Sequence, residues 1–89
     1  MLEGAMYYTY VLLSSKDGRF YTGFTKDLKL RFEQHSKGEV ESTRDRGPFE
    51  LVYYEACLDQ SDAVKREKYL KTYHGKQYLR RRLKSYLTG

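Results

Sequence analysis

The hydrophobic pattern begins with Tyr7-Tyr8-Thr9-Tyr10-Val11-Leu12-Leu13, a run dense in aromatic and β-branched residues. Ser14-Ser15-Lys16-Asp17-Gly18 supplies turn chemistry before a second such run, Arg19-Phe20-Tyr21-Thr22-Gly23-Phe24-Thr25, so the two predict a β-hairpin. From Asp27 to Lys37 the period changes. Leu28, Phe32 and His35 fall at helical spacing, with Asp27 at the N-terminal end and Gly38 past the C-terminus, which predicts a one-sided helix. Residues 38–48, GEVESTRDRGP, carry two glycines, the only proline and five charges and predict an irregular surface loop, the kind of segment that often touches ligands. Phe49 to Leu58 is too apolar for a strand exposed on both faces. Capping chemistry at Asp59, Gln60, Ser61 and Asp62 opens a helix expected to end near His74-Gly75. A last helix follows, with a stripe of Leu79, Leu83, Tyr86 and Leu87 that leaves Lys76, Arg80, Arg81 and Lys84 largely outward.

The order β-β-α-β-α-α lacks the alternation that a parallel βαβ sheet requires. It predicts an α/β protein of the α+β type, a small three-stranded antiparallel sheet flanked by helices. A length of 89 residues fits one domain, expected over residues 7–87, and MLEGAM before Tyr7 reads as a leader or cloning remnant.

Composition changes the picture in two places. Ten Tyr and four Phe with no Trp make the apolar share unusually aromatic, and each tyrosine adds a hydroxyl to its packing area. The net charge of +5 is unevenly held: residues 1–64 have eight Lys/Arg against eleven Asp/Glu, whereas residues 65–89 have nine against Glu67 alone. A positive C-terminal segment attracts polyanions and is common on nucleic-acid binders, although many basic helices are only solvated faces. One cysteine, Cys57, forms neither an internal disulfide nor a multi-thiolate metal site, and no stretch resembles a signal peptide or membrane span, so a cytoplasmic protein without membrane attachment is expected.

There is no phosphate loop ending in Lys-Ser or Lys-Thr, no GxGxxG, no HExxH and no GxSxG, which removes support for nucleotide hydrolysis and serine-type acyl transfer. His35 and His74 are 39 residues apart with no thiolate pair nearby, which argues against structural zinc. The more specific signal is an ordered set: Tyr8-Thr9-Tyr10 in the first strand, Tyr21-Thr22-Gly23 in the second, Arg31 and His35 one turn apart on the first helix, and Glu67 on the next. With the run YVLLSSKDGRFYTGFTKDLKLRFEQHSKG, the Pro48–Glu55 strand, Ala63–Lys68 and Leu70-Lys71, this series resembles the GIY-YIG nuclease superfamily, in particular the small single-domain bacterial members related to the N-terminal nuclease domain of the bacterial repair excinuclease. The resemblance spans residues 7 to about 80.

That resemblance implies roles for individual positions. Tyr10 and Tyr21 match the two motif tyrosines, the second lying beside the attacked phosphate as base or nucleophile positioner, and Gly23 occupies the small position of the motif. Arg31 matches the arginine that neutralises the scissile phosphate, His35 a Tyr-or-His position that bonds phosphate or helps activate water, and Glu67 the carboxylate that holds a single divalent cation, Mg²⁺ or Mn²⁺. The set is chemically coherent: phosphodiester hydrolysis needs charge stabilisation at the non-bridging oxygens, an activated water and help for the leaving oxygen. A hard cation that keeps most of its waters needs only one protein carboxylate. A tyrosine near pKa 10 is a poor base at neutral pH unless positive charge lowers that value, which Arg31 and the metal are expected to do.

Each residue has a plainer reading. Tyr10 and Tyr21 suit a cross-strand aromatic pair, Arg31 and Glu67 a surface ion pair, Glu67 and Lys71 an i,i+4 helix pair, and His35 a helix-surface position. The sequence also departs from the family: Phe24 stands where the excinuclease branch usually has lysine, and Thr9 and Thr22 replace commoner aliphatic residues. Phosphate contacts are expected from Lys65, Lys68, Lys76, Arg80, Arg81 and Arg82, with Thr43, Arg44 and Arg46 of the loop near the scissile strand. The expected function is a metal-dependent DNA endonuclease of repair or recombination that leaves 5′-phosphate and 3′-hydroxyl ends. The alternative is a catalytically weak nucleic-acid-binding adaptor that keeps the nuclease fold, and the lack of a specificity domain fits targeting by a protein partner.

Overall fold

The computed structural model describes residues 5–89. The first four residues of the segment read as a leader lie outside them. Three strands, β1 (Tyr7–Ser14), β2 (Phe20–Thr25) and β3 (Phe49–Cys57), form one antiparallel sheet in the order β2-β1-β3. Helix α1 (Leu28–Ser36) follows β2, and α2 (Gln60–Leu70), α3 (Tyr73–Arg82) and a single-turn α4 (Lys84–Thr88) follow β3. The expected α+β architecture is the one observed.

The central position of β1 explains its continuous apolar run, because a strand covered on both faces has no solvent side on which to alternate. Tyr10 and Leu12 join Phe49 on one face, against Leu28 and Phe32 of α1. Val11 points the other way, into a cluster with Leu70 and Leu79 of α2 and α3. A bulge opposite Val11 and Leu12 inserts Val52 into β3, so both Val52 and Tyr53 turn to that second cluster. The Thr9 hydroxyl, itself buried, donates to the Ala63 carbonyl at 2.8 Å and ties β1 to α2.

Two features differ from the sequence reading. Helix α2 ends at Leu70 rather than near His74-Gly75, because the Thr72 side chain accepts from the Gly75 N–H at 3.1 Å and starts a new helix there. Gly75 is a close-approach position: a Cβ on it would collide with the Tyr69 carbonyl and the Leu70 backbone, so the absent side chain lets α3 begin against the end of α2. The final helix breaks at Leu83, and its expected stripe divides, with Leu79 fully buried but Tyr86 52% exposed. Residues 38–48 hold one 3₁₀ turn, Glu41–Thr43, which buries Thr43 inside a loop that is otherwise exposed save for the half-buried Gly38 and Val40. Among the described residues no helix is long and apolar enough to cross a membrane.

Candidate active site

The hairpin register sets the geometry. Tyr10 pairs with Gly23, and Tyr21 pairs with Leu12, so the two motif tyrosines share a sheet face without standing opposite each other. A Cβ at position 23 would land on the Tyr10 hydroxyl and ring, so only glycine lets the Tyr10 ring lie across β2. This carries the phenol of a central-strand residue toward the open edge of the sheet.

There it meets α1. The Tyr10 oxygen lies 2.8 Å from Nε2 of His35, and Nε of Arg31 donates to it at 3.4 Å. The other imidazole nitrogen, Nδ1, is 2.7 Å from the hydroxyl of Thr43, which donates to the Val40 carbonyl at 3.4 Å. His35 is 6% exposed, so it is a buried member of this chain and not a helix-surface residue. Burial, aided by the neighbouring Arg31 charge, pulls the imidazole pKa down and favours the neutral ring. Burial likewise pushes the Tyr10 phenol up, against the lowering effect of Arg31. Arg31 also donates from Nη1 to Gln34 at 3.1 Å.

Tyr21 is held differently. Its ring packs edge-on to Phe49 with centroids 5.5 Å apart, and its hydroxyl donates to Oδ2 of Asp17 at 2.8 Å. Burial and the Asp17 carboxylate push this phenol up. The positive charges that act on this phenol are Arg46 and Arg19, while Arg31 is engaged with Tyr10.

Glu67 approaches from α2. Its Oε2 accepts from Lys71 Nζ at 3.0 Å, the i,i+4 pair foreseen from sequence, whereas no Arg31–Glu67 ion pair exists among the described residues. Tyr10, Tyr21, Arg31, His35 and Glu67 all line one open groove of about 580 Å³ that wraps the β2 edge. Gly23, Thr43 and Lys76 line it too, and so does Lys71, which the sequence suggests only as a helix partner of Glu67. Thr43 is 3% exposed, with its hydroxyl bonded to His35 and Val40 at the wall of the groove.

The remaining basic residues divide. Arg80 lines a neighbouring groove of about 660 Å³ with Arg19 and Lys84, and the two grooves share Phe20, Tyr21 and Lys76. Arg46 sits 3.7 Å from Asp17, while Arg44, Lys65, Lys68, Arg81 and Arg82 are exposed and line neither groove. Asp17 was missed by sequence reasoning. The signal available was its position four residues before Tyr21 across a tight turn.

The donor set fits one hard cation and no more. Among the described residues no group of three or more His, Cys, Asp and Glu could hold a metal, and the one side-chain hydrogen bond to Glu67 among them reaches Oε2, on a residue that lines the groove. Such an ion would rest on a single carboxylate, with water and substrate oxygens completing its shell.

The fold is a three-stranded sheet covered on both faces, with a groove at its β2 edge lined by tyrosine, arginine, histidine and glutamate. The family model of the GIY-YIG catalytic domain matches residues 6–82, and the chain belongs to that family. It is 40% identical over 75 residues to the UPF0213 proteins of Staphylococcus aureus strains Mu3 and Mu50, across 83% of this chain and 90% of each relative. It is also similar to the solution NMR structure of the UPF0213 protein BH0048 from Bacillus halodurans, at 35% identity and a TM-score of 0.53, over 83% of this chain and 81% of that one.

Proposed function

We propose that this protein is a divalent-metal-dependent endonuclease that hydrolyses DNA phosphodiesters to 5′-phosphate and 3′-hydroxyl ends, in repair or recombination. The observation that carries the reading is the convergence of Tyr10, Tyr21, Arg31, His35 and Glu67, drawn from four separate elements, on one accessible groove. Arg31 is the phosphate clamp: Nε and Nη1 are anchored on Tyr10 and Gln34, which leaves the Nη2 corner for a non-bridging oxygen. Tyr10 is 3% exposed and bonded to His35, so it braces Arg31 rather than meeting substrate. Tyr21 is half-buried and faces the groove, where its oxygen orients the attacking water. Glu67 would hold Mg²⁺ or Mn²⁺, and such an ion supplies charge neutralisation at the phosphoryl and leaving oxygens. Lys71 and Lys76 line the same groove and add positive charge along the path of the phosphodiester backbone.

One observation favours the adaptor alternative: the Lys71 ammonium occupies half of the carboxylate that a cation needs. Nicking of supercoiled plasmid at low salt, with Mg²⁺ or Mn²⁺ and with chelator, decides between the two. The nuclease reading expects metal-dependent nicking that is lost in Glu67→Ala and Tyr21→Phe while both variants stay folded. Equal DNA binding without cleavage by any form, on plasmid and on branched and flapped substrates, would assign the protein as an adaptor.

A further inference from the structure

Asp17 lies in the turn between β1 and β2, and its two carboxylate oxygens have separate tasks. Oδ1 accepts the backbone N–H of Arg19 at 2.9 Å and holds the turn, while Oδ2 accepts the Tyr21 O–H at 2.8 Å. Because the phenol proton points at Asp17, the lone pairs of the Tyr21 oxygen stay open to a donor from the groove. A water hydrogen-bonded there would donate to an oxygen whose own proton already has an acceptor. We infer that Asp17 is the positioning residue for Tyr21 and the acceptor of its proton, so that Tyr21 relays a proton instead of ionising beforehand. This rests on the nuclease reading and deepens it.

The step balances. As the water oxygen bonds to phosphorus, one water proton passes to the Tyr21 oxygen and the phenolic proton passes to Oδ2 of Asp17. The bond from phosphorus to O3′ breaks, the electron pair leaves on O3′, and that oxygen takes a proton from solvent. Asp17 then returns its proton to solvent, so one water is consumed. A carboxylate is a sufficient acceptor because the proton of the attacking water grows acidic as the new bond forms.

The surroundings keep Asp17 ionised. The Arg19 N–H, the Tyr21 and Ser14 hydroxyls and the Arg46 guanidinium face it and hold its carboxyl below the usual range. Tyr21 is faced by Asp17, Arg46 and Arg19, and Lys76 and Arg80 line the adjoining groove. With the phenol pushed up by burial and by Asp17, a Tyr21 that had to ionise first would be almost wholly inactive at neutral pH.

The test compares wild type, Asp17→Asn, Asp17→Glu and Tyr21→Phe in Mn²⁺-dependent plasmid nicking between pH 6 and 9.5, with folding checked by circular dichroism. Asparagine keeps an oxygen for the Arg19 N–H but accepts no proton. Its kcat should fall about 100-fold with KM for plasmid unchanged. Its log rate should also rise with pH about one unit per pH unit more steeply than wild type, since only pre-ionised phenol then serves. Asp17→Glu should recover part of the rate and the wild-type profile. An Asp17→Asn enzyme with the wild-type profile, whether at full or uniformly reduced rate, would leave Asp17 as turn structure alone and overturn the relay while the nuclease reading stands. A wild type that does not cleave would overturn both.

Discussion

The Tyr10 hydroxyl and Nε2 of His35 lie 2.8 Å apart, inside hydrogen-bond distance. The Thr43 hydroxyl lies 2.7 Å from Nδ1 of His35 and 3.4 Å from the Val40 carbonyl. In the neutral tautomer that donates from Nδ1 to Thr43, Nε2 takes the Tyr10 proton, and the Tyr10 oxygen accepts from Arg31. Four side chains are thereby linked from the loop to the guanidinium. The orientation of Arg31 toward the groove depends on a neutral imidazole four residues further along the helix.

Protonating that imidazole would break the chain, and its lowered pKa has a thermodynamic consequence. The unfolded chain binds a proton near pH 6.5, while the folded chain resists until a lower pH. The contribution is therefore complete above about pH 6.5 and is lost as pH falls from there through the folded value. Urea midpoints measured at pH 7.5 and 5.5 should drop more for the wild type than for His35→Gln. Equal drops would mean that the ring gains its proton as readily folded as unfolded.

Gly23→Ala should damage the site without touching any polar group. The new methyl group would displace the Tyr10 ring, and overpacking of this kind costs about 1–3 kcal/mol. A lower urea midpoint should accompany a shift of the His35 ring resonances in NMR spectra. Retention of both wild-type values would mean that β2 moves outward at no cost.

Lys71→Met removes the ammonium that competes for Glu67. The pair is partly exposed, with Lys71 at 55%, so it is worth about 0–1 kcal/mol, and the Mn²⁺ concentration for half-maximal nicking should fall by up to about fivefold. KM for plasmid should rise at the same time as one phosphate contact is lost. An unchanged metal titration would show that the ion pair does not compete with the cation.

The architecture was legible because its determinants are local. Aromatic and β-branched runs, the Ser14–Gly18 turn, Asp27 and Asp59 as helix caps and the αL glycine at position 38 each act within a few residues. The end of α2 was misread for the opposite reason. Glycine at 75 stops no helix; it accommodates another backbone, and a tertiary contact leaves no local pattern. The site was legible as a set of residue types in order, while their partners were not. That Tyr10 belongs to His35 and Tyr21 to Asp17 follows from register and from the path of the ring over Gly23. The burial of Thr43 was hidden because a polar loop gives no sign that one of its residues turns inward.

The close approach at Gly75 reaches the groove through the next residue. Among the described residues Lys76 is the one basic side chain that borders both grooves, and its location is set by where the backbone of α3 can start against Tyr69 and Leu70. A larger residue at 75 would rotate or lift α3, moving Lys76 and Arg80 together. In a genetic screen for DNA-binding defects such a change would score like a lesion in the substrate contact itself. Its origin would be a packing constraint on a residue that substrate never meets.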